Sequence, residues 1–173
     1  MILVLGVGRS GTSEVARILQ ELGVDMGQGQ QGDEFNPLGY YEDKEFQAKN
    51  MAYFMMGLHE KQSEYPLKLW RTEFDKLIAT KTEPWGVKDP GIVDMAFLLE
   101  EYAKLNPKIV LCSREKEDTI GSLMRMKGIT REKAEEIYYK RMENLSTFLK
   151  DKDYLEIDCY DEHKEDKLKA LIK

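Results

Sequence analysis

The first twenty residues, MILVLGVGRSGTSEVARILQ, constrain this chain more than any other stretch. Four apolar residues without a break, ILVL, read as a strand buried on both faces. The glycine-rich run GVGRSGTS (6–13) then turns the chain, and TSEVARILQEL repeats its apolar positions at helical spacing. A buried strand that feeds straight into a helix calls for neighbours running in the same direction, because the helix must return across the face of the sheet. Three later runs supply them: WGVK (85–88), KIVLC (108–112) and YLEIDC (154–159). Helical periodicity covers 12–22, 43–60, 92–105, 116–126, 130–150 and 161–172, with Gly23 and Gly128 where helices should stop. The expectation is a three-layer α/β/α domain over 1–173. Its central parallel sheet has four or five strands, the first strand is interior, and 6–13 lie at that strand's carboxyl end.

Composition narrows the function classes. A chain with 42% hydrophobic and 34% charged residues fits a globular protein, and no apolar run approaches the roughly 18 residues of a membrane span. ILVLGV has no basic flank and no small-residue cleavage site, so it reads as a strand rather than a signal peptide, and a cytoplasmic location is expected. Cys112 and Cys159 each close an apolar run and read as reduced core thiols. A net charge of −6 argues against nucleic-acid binding, so any anion site must be local.

Gly6, Gly8 and Gly11 satisfy the dinucleotide template G-x-G-x-x-G, but Asp33 and Glu34, the acidic residues at the right interval, have no strand before them. The same loop fits G-x-x-x-x-G-K-[ST], with Ser13 as the terminal hydroxyl and Thr12 where lysine belongs. That lysine normally carries charge to the outer phosphates of a nucleoside triphosphate, so its loss counts against ATP or GTP chemistry. Backbone amides at a helix N-terminus still make an anion cradle. Arg9 supplies the displaced charge, and Ser10, Thr12 and Ser13 add hydroxyls.

RSGTS after an apolar strand resembles the 5′-phosphosulfate loop of sulfotransferases, enzymes that move a sulfuryl group from 3′-phosphoadenosine 5′-phosphosulfate (PAPS) and release PAP. In KIVLCSREKEDTIGSL, Arg114 just past a strand and Ser122 eight residues on resemble that family's 3′-phosphate site. DEFNPLGYYED, WGVKDPG and SLMRMKGITREKAEEIYYKRMENL are similar to the bacterial and glycan-acting branch, so the resemblance runs from residue 1 to about 150. The late Arg-Lys-Gly motif of the cytosolic members is missing, which leaves Arg125 or Arg131 as other partners for the 3′-phosphate. The resemblance implies a P-loop NTPase-like fold and a PAPS-dependent sulfotransferase. Gly8, Arg9, Ser10, Gly11, Thr12, Ser13, Arg114 and Ser122 would hold the donor, the acceptor would be a small molecule or glycan, and no metal would be required.

The chemistry needs cations and a base. Arg9 serves the leaving side, and Lys88 at a strand end is placed to reach the same anion, with Asp89 as its orienter or as a base. Glu42 is favoured as base because sugar-modifying members of the family use a Glu soon after the first helix; Asp33, Glu34 and Asp89 are rivals. His59 and His163 read as surface residues. Phe35, Tyr40, Tyr41, Tyr53 and Phe54 are candidate pocket aromatics, though at helical spacing the last two are more often core, and Met51, Met55 and Met56 read as packing. The alternative is a P-loop nucleotide or small-molecule kinase, with Arg125, Arg131 and Arg141 as phosphate-clamping arginines and Asp158 after YLEI as a Walker-B-like acid. A non-catalytic nucleotide-binding protein is the third reading.

Overall fold

The structure, a computed structural model, describes residues 1–27, 29, 31–55 and 64–173, with backbone alone for 64–66; His59 and Met56 lie outside the described residues. Four strands, β1 (Ile2–Leu5), β2 (Gly86–Lys88), β3 (Lys108–Ser113) and β4 (Tyr154–Asp158), form one all-parallel sheet in the order β2-β1-β3-β4. The first strand is interior, as the unbroken apolar run requires. Val4 pairs with Lys88 on one side and Val110 on the other.

Strand alternation divides the core into two layers. Leu3, Leu5, Val87 and Ile109 pack on one face beneath Phe46, Trp70, Phe74, Leu99, Tyr102 and Leu145. Ile2, Val4, Val110, Cys112 and Ile157 face the other way, onto Val15, Ala16 and Leu19 of α1 (Thr12–Glu21) and Leu168 of α7 (Lys164–Ile172). Each of these large side chains, withdrawn fully from water, stabilises the fold by roughly 1.5–3 kcal/mol before its entropy cost. The same alternation turns Lys88, the residue after Val87, toward the α1 side.

α2 (Lys44–Met55), α5 (Lys116–Lys127) and α6 (Arg131–Leu149) fall where the periodicity puts them, although α2 as described ends before residue 60. The segment read as one helix over 92–105 is two elements. Asp89 caps a 3₁₀ turn over Pro90–Asp94, and α4 (Ala96–Ala103) begins after a break at Met95 (φ −121°, ψ 68°). Asn144 on α6 donates to the Val93 carbonyl at 2.9 Å and so holds the break from outside. α3 (Glu64–Ile78) is an additional helix that the sequence reading passed over. Its signal is present: Leu67, Trp70, Phe74 and Leu77 recur at helical spacing, and the last three are buried. Pro66 in its first turn is tolerated there because the amide it lacks would have no helical partner.

Cys112 is buried and Cys159 half-buried, and both are free thiols. Met51 and Met55 are exposed at 52% and 74%, so they are not the core packing expected of them, whereas Tyr53 is core. Among the described residues no helix is long and apolar enough to cross a membrane.

Candidate functional site at the carboxyl ends of β1 and β2

A cavity of about 560 Å³ opens where β1 and β2 end. The loop between β1 and α1 forms one wall. Gly11 sits at the N-cap of α1 with φ +90°, a conformation costly for a residue with a Cβ, and no side chain caps the helix, so its first turn is offered to the cavity. Arg9 also lies in the left-handed region, at φ 78°. For a non-glycine residue that conformation costs about 1–3 kcal/mol and persists only where neighbours over-determine it.

Those neighbours are visible. Arg9 Nε donates to Ser122 Oγ at 3.0 Å, and its Nη2 donates to the Phe35 carbonyl at 2.8 Å. Arg114 Nη1 donates to the Arg9 carbonyl at 3.4 Å. The structure thus brings Arg114 and Ser122 together around Arg9. Arg114 also donates to Tyr160 Oη, at 3.2 Å from Nε and 3.0 Å from Nη2, and lines the cavity, whereas Ser122 is buried.

Of the loop hydroxyls, Thr12 and Ser13 line the cavity. Ser10 turns inward, and its Oγ is buried without a partner among the described residues. Gly8 faces Arg141 of α6: a Cβ there would lie 3.0 Å from Arg141 Nη1. Arg141 is clamped by a forked pair of bonds to Asp94, 2.9 Å from Nε and 2.5 Å from Nη2. That leaves Nη1 toward the loop.

The opposite wall centres on Lys88. Its side chain is 1% exposed, and Nζ donates to Glu42 Oε1 at 2.6 Å, the Tyr40 carbonyl at 2.9 Å and Ser13 Oγ at 3.1 Å. An ammonium has three hydrogens, and here each has an acceptor. Gln47 Nε2 donates to the other Glu42 oxygen at 2.6 Å. Burial pushes the Lys88 ammonium below its ordinary value and the Glu42 carboxyl above its own, while the charge of each opposes the shift of the other. Two charges taken out of water at this cost add little net stability as a pair.

The remaining candidates are placed plainly. Asp89 lines the cavity and, like Glu42, accepts at both oxygens, here from the Gly91 amide at 2.9 Å and from Asn50 at 3.0 Å. Asp33 is exposed and accepts from the Phe35 and Asn36 amides and the Tyr40 hydroxyl, and Glu34 is exposed. Arg125 is exposed, and Arg131 pairs with Glu117 and Glu135 on the surface. Asp158 ends β4 at the sheet edge and accepts from the Tyr160 amide. His163 is exposed at the start of α7. Tyr40, Met51 and Phe54 line the cavity, Phe35 and Tyr41 do not, and Tyr53 is buried in the core. Asp94, which holds Arg141, and Asn50, which holds Asp89, were missed by the sequence reading, since nothing local marks them out.

No family model matches the chain, and no curated protein matches it in sequence. Solved structures do. A shikimate kinase from Bacteroides thetaiotaomicron superposes with a TM-score of 0.54 at 12% identity, covering 98% of this chain and 93% of the other. TT1252 from Thermus thermophilus gives 0.54 at 16% identity, covering 98% and 94%. These likenesses correct the sulfotransferase reading: the three-dimensional similarity found is to a kinase-type scaffold, and the expectation of a PAPS-dependent sulfotransferase does not stand. A short loop motif such as RSGTS can occur on one fold in proteins of different activity, and does not by itself fix the chemistry. The four-stranded parallel sheet, its covering helices and the β1–α1 loop together are a shikimate kinase-like P-loop α/β fold.

Proposed function

We propose that this chain is a P-loop phosphotransferase, a small-molecule kinase that moves the terminal phosphoryl group of a nucleoside triphosphate to a small hydroxylated acceptor. The observation that carries this reading is the Lys88–Ser13 contact. Thr12 removes the lysine such loops normally have, and Lys88 returns a cation to the same loop from the end of β2. Arg9, Arg114 and Arg141 add positive charge around the cavity, although the chain as a whole is acidic.

In this reading the amides after Gly8 and the Arg9 guanidinium cradle the phosphate chain, and Lys88 and Arg141 meet the charge that builds on the transferred group. A bond forms between the acceptor oxygen and the terminal phosphorus as the bridging P–O bond breaks, and the nucleoside diphosphate departs. The acceptor's proton passes to Glu42. Burial raises that carboxyl above its ordinary value, which makes it a better proton acceptor than a solvated carboxylate.

The test has a binding arm and a turnover arm. ATP and ADP should stabilise the protein against unfolding by about 2.7 kcal/mol at a hundredfold excess over Kd, and adenosine should give no stabilisation of that kind. ADP formation should then appear when pooled small alcohols and hydroxy acids are added. Nucleotides that stabilise no better than adenosine would overturn the proposal. Tight ADP binding with no turnover on any acceptor would reduce it to a nucleotide-binding protein.

A further inference from the structure

P-loop nucleotide enzymes hold Mg²⁺ on the loop Ser or Thr hydroxyl, which corresponds here to Ser13, with help from an acidic residue. The residues present do not fit that ion. Ser13 Oγ accepts from the buried Lys88 ammonium at 3.1 Å. The other two hydrogens of that ammonium go to a carboxylate oxygen at 2.6 Å and a backbone carbonyl at 2.9 Å. Hydroxyl, carboxylate and carbonyl are the oxygen types a hard divalent cation takes, but Mg²⁺ needs them at about 2.0–2.1 Å in octahedral array. A magnesium ion on Ser13 would stand against a buried positive charge held by three hydrogen bonds. Asp158, the Walker-B-like acid, is at the far edge of the sheet, two strands from β1. Among the described residues no three His, Cys, Asp or Glu side chains gather as a metal site.

We infer that the Lys88 ammonium occupies the place of the metal, so that the loop takes a phosphate or pyrophosphate group without a divalent cation. This rests on the phosphotransferase reading for what the anion is part of, but the cradle itself can be tested with a bare anion. Several features bear on it. Lys88 reaches Ser13 from β2, and strand register fixes its direction, because Val87 is committed to the opposite core layer. Glu42 accepts from Nζ and is itself held by Gln47, so the buried ammonium is anchored beside the loop rather than trailing in solvent. A bound phosphate oxygen that displaced the Tyr40 carbonyl or Ser13 from one ammonium hydrogen would gain a charge-assisted bond at little cost in reorganisation.

The experiment is calorimetric titration of the whole chain with inorganic pyrophosphate, in EDTA and then in excess magnesium. The expected result is a dissociation constant in EDTA equal to, or tighter than, that in magnesium, to within about twofold. Absence of binding in EDTA, or a gain of about tenfold or more on adding magnesium, overturns the inference. The double variant Lys88→Met with Glu42→Gln keeps the buried site neutral and so keeps it foldable. It should lose about tenfold or more in EDTA and recover part of that with magnesium, since Ser13 is then released. Unchanged binding by this variant in EDTA also overturns the inference. Pyrophosphate bound in EDTA by a protein that makes no ADP from ATP upholds the metal-free cradle and overturns the transferase reading alone.

Discussion

Lys88 Nζ and Glu42 Oε1 lie 2.6 Å apart at the wall of the cavity, one contributed by the last residue of β2 and the other by the loop that precedes α2. Forty-six residues of chain separate them, and the ion pair ties that loop to the sheet. Removing Lys88 alone should be harsh, because it leaves a buried carboxylate with no cation. Lys88→Met is expected to cost about 3–5 kcal/mol in urea unfolding, and adding Glu42→Gln should restore much of it. A double variant as unstable as the single would show that the pair does not act as a unit.

Glu42 also predicts a pH dependence. Its folded-state value is raised by burial, so between the ordinary 4.5 and that raised value the native state holds more protons than the unfolded chain. Stability contributed by the protonated form is therefore present below the unfolded value and is lost as pH rises through the folded one. Chemical denaturation across mildly acidic pH should show the wild type losing stability with rising pH relative to Glu42→Gln. Parallel curves for the two proteins would contradict the assignment.

Arg9 sets loop strain against binding. Arg9→Gly and Arg9→Ala both remove the bonds to Ser122 and the Phe35 carbonyl, but only glycine is relaxed at φ 78°. The glycine variant should be more stable than the alanine variant by about 1 kcal/mol, and both should lose phosphate affinity equally. Equal stabilities, measured by thermal or urea unfolding, would mean that the loop relaxes out of the left-handed region.

Gly8→Ala is expected to leave stability within about 0.5 kcal/mol while weakening pyrophosphate binding about tenfold. Its backbone is not left-handed, so alanine is permitted, but the new Cβ would sit 3.0 Å from Arg141 Nη1 and push the guanidinium from the loop. Arg141→Lys breaks the fork to Asp94 and should weaken the same binding, with an added stability cost because Arg141 joins α6 to the turn after β2. Pyrophosphate titration of both variants checks this.

Asp89→Ala should act on stability. Its carboxylate caps the 3₁₀ turn through the Gly91 amide and receives Asn50, so its loss should cost about 0.5–2 kcal/mol, read by unfolding midpoint. Asn50→Ala should weaken the same turn, and an additive double variant would show that the two residues act independently.

Local pattern sufficed for the frame of this protein. An unbroken apolar tetrapeptide, a glycine loop and a helical repeat can be satisfied only by an interior parallel strand with its loop at the sheet's carboxyl edge, and β1 is that strand. The break of the 92–105 segment is not legible locally, because Asn144 holds it from another element, whereas the apolar period of α3 is present in the sequence itself. The glycine loop carrying Arg9, Thr12 and Ser13 was legible, and so was the place of Lys88 at a strand end. Which groups those residues meet was not. Strand register sends Lys88 to Ser13, the stretch between α1 and α2 brings Glu42 and the Phe35 carbonyl to meet Lys88 and Arg9, and Asp94 aims Arg141 at Gly8. Each of these pairings joins residues far apart in the chain, and only the packed layers bring them within hydrogen-bonding reach. The kinship suggested by short motifs gave way for the same physical reason: a loop motif is a local object, while the fold that carries it is decided by the whole chain.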